Sequence, residues 1–322
     1  MSIIIRFAIS AGLLAFLLWS MRDNFSNISS TLSKTHLPLF SAAVALFVIN
    51  VIILSARLQL LFKGEGLDIA MPRVIQLSFI GFFFNNFMPT AVGGDIVKAY
   101  YAYKQTNETT KSFISVFMDR LIGLFSFVII AIIALVWGWA NIGLTLKRIV
   151  IIFAAVSIFA SVIILNKTIA RFIISALPKL KIWNIGEKLS KAYRAIHDYR
   201  HKKSLIVSVI GISLISQSLY FLVVYVLIKS LGANILFASV FLIMPIVSIV
   251  SMLPSIGGLG LREGAMVALF SPMIGASNAF SVSILLLAIL FILSIAGAIT
   301  YISASQFKLK PAEISSFKNY NA

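Results

Sequence analysis

Long apolar runs separated by short polar or charged segments set the pattern of this chain. A helix crosses roughly 30 Å of bilayer hydrocarbon with about 20 predominantly apolar residues. The runs that fit one crossing each are residues 37–56, 121–146, 149–166 and 204–228. Residues 230–261 and 264–307 form longer runs, and a break near Ser271, Pro272 and Asn278 is expected to divide the last one. The pattern predicts an all-α polytopic membrane protein with about eight transmembrane helices, some of them broken or re-entrant.

Residues 74–94 are apolar but contain residues that interrupt a helix, namely Asn85, Asn86, Pro89, Gly93 and Gly94. Basic residues lie on both sides of this segment: Arg57, Lys63 and Arg73 before it, and Lys98, Lys104 and Lys111 after it. Because basic residues favour the cytoplasmic side, both flanks are expected there. The segment therefore predicts a re-entrant hairpin, whose irregular backbone must be buried in protein or line a cavity.

A second segment of the same kind follows in the other half of the chain. The first reads NFMPTAVGGDIVK up to Lys98, and the second reads SMLPSIGGLGLRE up to Glu263, with Pro254, Gly257, Gly258, Gly260 and Arg262 inside it. Two segments interrupted by proline and glycine in comparable positions of two halves point to a binding site at a repeat interface. The spacing from proline to the glycine pair differs by one residue, so the sequence leaves a two-half pseudo-repeat open.

Composition supports a membrane location for the whole chain, which is expected to form a single membrane domain over residues 1–322. Of these residues 60% are hydrophobic and 11% charged, with a mean hydropathy of +1.02. A soluble protein could not hide so much apolar surface in one core. Residues 7–21 fit either a signal peptide or a first transmembrane helix. The lack of a small-residue cleavage motif after them favours the helix.

The distribution of charge predicts the topology. The net charge is +17, and ten basic residues lie within residues 167–203. The positive-inside rule makes this segment a cytoplasmic loop in an inner membrane, with both termini cytoplasmic. It joins a first half of residues 1–166 to a second half of residues 204–307, and 308–322 form a short tail. Residues 179–203 predict an amphipathic helix, which either packs on the bundle or binds anionic headgroups.

Several kinds of chemistry find no support in the sequence. The chain has no cysteine and only three histidines, which excludes disulfides and thiolate sites and gives no metal-ligand spacing. No cofactor is expected, since neither a Walker loop nor a dinucleotide fingerprint occurs. Nucleic acid is not an expected partner, because the basic residues follow the topology of a membrane protein.

Charged residues next to the apolar runs are the strongest candidates for function: Asp95, Lys98, Asp119, Arg120, Arg262 and Glu263. An ionisable side chain at the bilayer centre costs about 2.5–3.5 kcal/mol, so its presence requires a reason. These residues either form locally paired, snorkelling helix ends or line a net-positive chamber, where the glycine amides could also bind an anion. Asn85 and Asn86, like Gln217, Tyr220 and Tyr225, either join helices or contact a headgroup.

Three stretches carry a family resemblance: NNFMPTAVGGDIVKAY from Asn85, FMDRLIGL from Phe117 and LPSIGGLGLREGA from Leu253. In this order they resemble the signature regions of the flippase-like transmembrane family, the lysyl-phosphatidylglycerol synthase transmembrane region. The resemblance implies an eight-helix-like bundle with re-entrant segments, and in fused members the movement of aminoacylated phospholipid between leaflets.

By position, Asp95, Arg120, Arg262 and Glu263 match the charged family positions. Lys98 departs from the arginine typical of the family and lacks its planar fork. Fused members append a soluble aminoacyl-transfer domain, whereas the residues after Phe307 are few. This chain is therefore not expected to make lysyl-phosphatidylglycerol by that route.

The leading hypothesis is a lipid flippase or transporter for a phosphate-bearing headgroup of a phospholipid or polyprenyl lipid. Its partners would be membrane lipids with an anionic or phosphate-bearing headgroup. One alternative is a membrane enzyme or accessory subunit acting on a polyprenyl-phosphate sugar or aminoacyl lipid, with Asp95 or Glu263 as general base. Another is a structural partner of a separate lipid-modifying synthase.

Overall fold

The computed structural model describes residues 25–88, 92–138, 202–253 and 258–304, together with a few isolated positions such as Trp19 and Tyr199. Several predictions lie outside these residues. They are the N-terminal helix over residues 7–21, nearly all of the crossing 149–166 and of the amphipathic helix 179–203, the tail 308–322, and the site residues Pro89, Pro254 and Gly257.

Every regular element in the described ranges is an α-helix. The helices are α1 (Phe25–Ser33), α2 (Leu37–Gly64), α3 (Met71–Phe87), α4 (Gly93–Thr106), α5 (Thr109–Gly138), α6 (Lys203–Ser230), α7 (Phe237–Val250), α8 (Leu261–Ile274) and α9 (Ala276–Ser303). Proline near the start of α2 and α3 suits the first helical turn, where no backbone donor is lost. Asn107 ends α4 in the left-handed conformation, with φ of 56°.

Four of the described helices, α2, α5, α6 and α9, are long and apolar enough to cross a membrane. Their outer faces remain apolar, and Ile295, Ile299 and Ile302 of α9 are all exposed. Their inner faces meet in one core that includes Phe47, Phe221 and Leu286. The predicted class, an all-α polytopic membrane protein, is confirmed.

The predicted helix breaks also occur. Helix α3 ends at Phe87 and α4 begins at Gly93, on either side of the predicted interruption. The run 264–307 breaks at Gly275, next to the expected Ser271 and Pro272, where a φ of 82° ends α8 and starts α9. Positive φ is easy for glycine and strained for other residues.

Two helix bounds differ from the predictions. Residues 37–56 predicted a helix that ends before Arg57, yet α2 continues to Gly64. Residues 121–146 predicted a helix that starts after Arg120, yet α5 begins at Thr109. Polar residues do not end these two helices, because a polar side chain that finds a partner inside the bundle is compatible with helical backbone. Arg57, Asp119 and Arg120 therefore lie within long helices and not at their ends.

The helices form two repeats with the same order of lengths. Helices α2 to α5 contain 28, 17, 14 and 30 residues, and α6 to α9 contain 28, 14, 14 and 28 residues. The packing repeats as well, when α2 to α5 are matched in order with α6 to α9. The contact of α3 with α9 corresponds to that of α7 with α5. The contact of α4 with α5 corresponds to that of α8 with α9. The order and packing of the helices therefore indicate the two-half pseudo-repeat that the sequence left open.

The two repeats are inverted relative to each other. The central helices α2 and α6 run antiparallel, because the His36 backbone N–H donates to the Ser230 carbonyl at 2.8 Å and Lys202 Nζ donates to the Gly64 carbonyl at 2.7 Å. Midway along them, Ser216 Oγ donates to Asn50 Oδ1 at 2.6 Å. Each of these two residues is the fourteenth of its 28-residue helix, so a pseudo-two-fold axis passes near this contact.

The short helices therefore enter the bundle from opposite ends. Helix α3 follows the end of α2, and α7 follows the end of α6, at the other end of the antiparallel pair. Helices α4 and α8 begin inside the bundle, where Asp95 and Arg262 line the same cavity. This architecture places two interrupted helices at the interface of the repeats, as in transporters with inverted repeats.

Candidate functional site

A cavity of about 290 Å³ lies between the two repeats. Its wall includes polar or charged residues of α2, α3, α4, α5, α6, α7 and α8: Asn50, Arg57, Ser78, Asn85, Asn86, Asp95, Lys98, Asp119, Arg120, Ser216, Gln217, Tyr220, Ser248 and Arg262. Phe47, Phe82 and Phe127 complete it with aromatic rings. Most of the charged residues that the sequence singled out therefore meet in one chamber.

Asp95, in the first turn of α4, holds two cations. Arg120 Nη1 of α5 donates to its Oδ2 at 2.8 Å, and Lys98 Nζ donates to its Oδ1 at 3.3 Å. A carboxylate in the first turn is also favoured by the helix dipole. The Lys98 contact is the local pairing expected at a spacing of three residues, whereas the Arg120 contact joins α4 to α5.

Asp119 pairs with Arg57 of α2 and not with its neighbour Arg120. Arg57 Nε donates to Asp119 Oδ1 at 2.7 Å, and Arg57 Nη1 donates to Ser213 Oγ of α6 at 3.1 Å. The side chain of Arg57 is buried, so it is part of the chamber and not the cytoplasmic flank that the sequence suggested. An arginine directly after a long apolar run is the signal that could have marked it.

Arg262 and Glu263 form the charged pair of the second repeat. Glu263 is fully buried and accepts from Arg262 through Oε1 and from the Gly260 backbone N–H through Oε2, the latter at 2.7 Å. Gly258 and Gly260 take φ of 78° and 81°, which lets the chain turn directly into α8. Glu263 thereby holds the Arg262 guanidinium against the cavity.

Asn85 and Asn86 contact the cavity while they join helices. Asn86 Nδ2 donates to the Leu290 carbonyl at 3.2 Å and to Ser294 Oγ, both on α9. Asn85 Oδ1 accepts the Gly94 backbone N–H at 2.8 Å. The amides of Gly94 and Gly260, which the sequence offered to a ligand, thus have protein acceptors in this conformation.

Gly93 and Gly94 are buried at the start of α4 and serve close packing. A methyl group at Gly94 would collide with the Gly81 carbonyl oxygen of α3, so only glycine fits this approach. Small residues at helix contacts are the usual way for membrane helices to pack closely. The glycine pair sets the position of Asp95 and Lys98 in the cavity wall.

The chamber carries a net positive charge. Four cations, Arg57, Lys98, Arg120 and Arg262, are paired with three carboxylates, so this cluster has a charge of +1. In a low-dielectric interior, such a charge attracts an anion more strongly than it would in water. Among the described residues, no group of three or more histidines and carboxylates is placed to hold a metal ion.

The fold and the cavity define a class: a polytopic membrane protein built from two inverted repeats around a buried, net-positive chamber. A family model described as the lysylphosphatidylglycerol synthase TM region matches residues 3–297. The chain belongs to this family.

Two relatives are UPF0104 membrane proteins of archaea. The chain is 28% identical over 275 residues to one from Pyrococcus horikoshii, covering 76% of this chain and 80% of the relative. It is 25% identical over 259 residues to one from Methanothermobacter thermautotrophicus, covering 71% of this chain and 74% of the relative.

Proposed function

We propose that this protein moves a lipid with a phosphate-bearing headgroup across the cytoplasmic membrane through the chamber between its repeats. The observation that supports this proposal most is the meeting of Arg57, Lys98, Arg120 and Arg262 in one cavity at the interface of two inverted repeats. The basic segment 167–203 supports an orientation with this segment and both termini in the cytoplasm.

The charges of the chamber suit a phosphate group. Arginine guanidinium groups bind phosphate oxygens through paired N–H donors, and lysine adds a point charge. A phosphodiester carries one negative charge, which would neutralise the net charge of the cluster. At about 290 Å³, the cavity is at the lower end of ligand pockets, so it holds a headgroup and leaves acyl chains in the bilayer.

The inverted repeats supply a route between the leaflets. In transporters of this construction, one repeat moves against the other and exposes a central site to each side in turn. The interrupted helices α3/α4 and α7/α8 enter from opposite ends, so each pair stands between the chamber and one end of the bundle. This arrangement favours transport over catalysis, because Asp95 and Glu263 are both engaged with cations and neither is placed as a free base.

A lipid-exchange assay in vesicles tests the proposal. Purified protein is reconstituted with a trace of anionic phospholipid that carries a fluorescent acyl chain, and a membrane-impermeant reductant reports label reaching the outer leaflet. Arg120→Gln should slow exchange at least about tenfold, since charged hydrogen bonds contribute about 1.5–3 kcal/mol. Asp95 keeps Lys98 as a partner in this variant, so the fold should persist.

A second variant neutralises the pair Arg262 and Glu263 together, so that neither residue is left as an unpaired buried charge. In Arg262→Gln with Glu263→Gln both charges disappear, which avoids an unpaired buried charge. Lys111→Gln is the matched control, because Lys111 is exposed and outside the cavity. Exchange at the rate of the unmodified protein in both neutralised variants, with melting temperatures preserved, would overturn the proposal.

A further inference from the structure

One wall of the chamber carries neutral polar groups in place of charges. It consists of Gln217 and Tyr220 on α6 and Ser248 on α7, all of which line the cavity. This wall belongs to the second repeat, whereas Arg57, Asp95 and Asp119 belong to the first. Arg262 of the same repeat lines this cavity as well, so the neutral wall and the charged pair of the second repeat face one space.

The polar atoms of this wall have no partner in the described part of the chain. Ser248 Oγ is buried and bonds to no described residue, and Ser248 as a whole is only 7% exposed. Gln217 is 9% exposed, and neither its amide nor the Tyr220 hydroxyl bonds to any described residue. Burial of an unpaired hydroxyl or amide costs about 1–3 kcal/mol, so buried groups of this kind normally have partners.

Arg262 presents a further donor to the same space. Its Nε and Nη2 atoms donate to Glu263, and no described residue accepts from Nη1. The residue is only 5% exposed and lines the cavity. A charged donor and three neutral groups that each donate and accept therefore line the same cavity.

These groups match the hydroxyls of a headgroup better than they match a cation. An amide, a phenol and a serine hydroxyl each donate and accept, as the hydroxyls of a polyol do. No carboxylate lies on this wall to receive an ammonium group, because Glu263 is held by Arg262 and Gly260. The net charge of the cluster would also repel a cationic headgroup.

We propose that Gln217, Tyr220 and Ser248, with Nη1 of Arg262, form a hydroxyl-recognition subsite, and that the headgroup is a phosphate-linked polyol such as glycerol or a sugar. The headgroup would not be aminoacylated or otherwise cationic. This inference rests on the proposed function, because it assigns the part of the headgroup that lies beyond the phosphate. The phosphate contacts the charged residues, and the hydroxyls contact the neutral wall.

A matched pair of lipids tests the subsite. Phosphatidylglycerol and phosphatidylpropanol have the same chains and the same charge, and differ in the two hydroxyls of the headgroup. Their competition for the purified full-length protein is measured by native mass spectrometry. We expect a preference of at least about tenfold for phosphatidylglycerol, because a site built for hydroxyls leaves polar groups unpaired when they are missing.

Variants of the wall separate recognition from folding. Gln217→Leu with Ser248→Ala should reduce the preference to about twofold or less, while both lipids still bind through the charged residues. The melting temperature should not fall, since neither side chain loses a hydrogen-bond partner among the described residues. Ser218→Ala is the control: Ser218 lines a separate, largely apolar pocket and not the chamber, so the preference should remain.

The outcomes distinguish the two proposals. Equal binding of both lipids to the unmodified protein would overturn the hydroxyl subsite and leave the phosphate chamber standing. Binding of neither lipid would overturn both. If lysyl-phosphatidylglycerol displaced phosphatidylglycerol, the exclusion of cationic headgroups would be wrong. A large fall in melting temperature in the wall variants would show that the groups are structural, which also contradicts the inference.

Discussion

At the scale of single residues, the pairing of charges follows helix geometry more than distance along the chain. Successive residues on an α-helix point about 100° apart, so Asp119 and Arg120 face different neighbours. Asp119 reaches Arg57 on α2, and Arg120 reaches Asp95 on α4. Arg262 and Glu263 do pair, because Glu263 turns back to cap the first turn of α8. The sequence therefore identified most of the charged residues, but it missed Arg57 and could not assign partners that depend on how helices pack.

The buried pair Arg57–Asp119 should be strongly coupled. Asp119→Leu alone should destabilise the protein by about 3–5 kcal/mol, because it leaves the Arg57 guanidinium buried without its carboxylate. Asp119→Leu with Arg57→Met should recover most of this loss. The measurement is a double-mutant cycle of melting temperatures in detergent. Lys111→Ala, which breaks an exposed pair, should change stability by less than about 1 kcal/mol. A double variant no more stable than Asp119→Leu would contradict the coupling.

At the scale of helices, proline and glycine predicted where the chain breaks, and apolar runs predicted where it crosses. The end of α3 at Phe87, the start of α4 at Gly93 and the break at Gly275 agree with the sequence, because proline and glycine act locally through backbone conformation. The helix ends agreed less well at Gly64 and Thr109. Those bounds depend on partners in other helices that stabilise polar residues inside the bundle, and an apolar run cannot show such partners.

Close packing of α3 against α9 depends on Gly297. A methyl group there would collide with the Phe79 carbonyl oxygen, which is backbone and cannot turn away. Gly297→Ala should therefore destabilise the protein by about 1–3 kcal/mol, as expected for overpacking. In Gly211→Ala the added methyl group meets no described atom, so the gain in helix propensity should leave stability unchanged or slightly higher. Thermal melting of both variants checks this, and equal shifts would contradict the close contact.

At the scale of the whole molecule, the inverted repeat was only suggested by the sequence. The two motifs around Pro89 and Pro254 share little beyond proline, glycine and charge, and their spacing differs. The relation is clear from the order of helix lengths and from the antiparallel contact of α2 with α6. Packing can be conserved between repeats while side chains diverge, since many apolar sequences fill the same interface.

The inversion predicts opposite membrane sides for equivalent positions. Gln105, near the end of α4, and Met273, near the end of α8, are both exposed. In Gln105→Cys and Met273→Cys, a membrane-impermeant maleimide added to oriented vesicles should label one cysteine from the outside and the other only after the vesicles are opened. The sequence contains no native cysteine, so the unmodified chain gives no background. Labelling of both positions from the same side would contradict the inversion.

The pseudo-two-fold axis near Asn50 and Ser216 also suggests an evolutionary origin from a half-length ancestor. Two copies that insert in opposite orientations can form an isologous pair, in which equivalent residues meet at the axis. Such an ancestor must insert both ways round, which requires little bias of lysine and arginine between its loops. Once a basic segment such as residues 167–203 joins the copies, their orientations are fixed and each copy is free to diverge. One copy could then acquire most of the buried charge, while the other retained the neutral wall of Gln217 and Ser248.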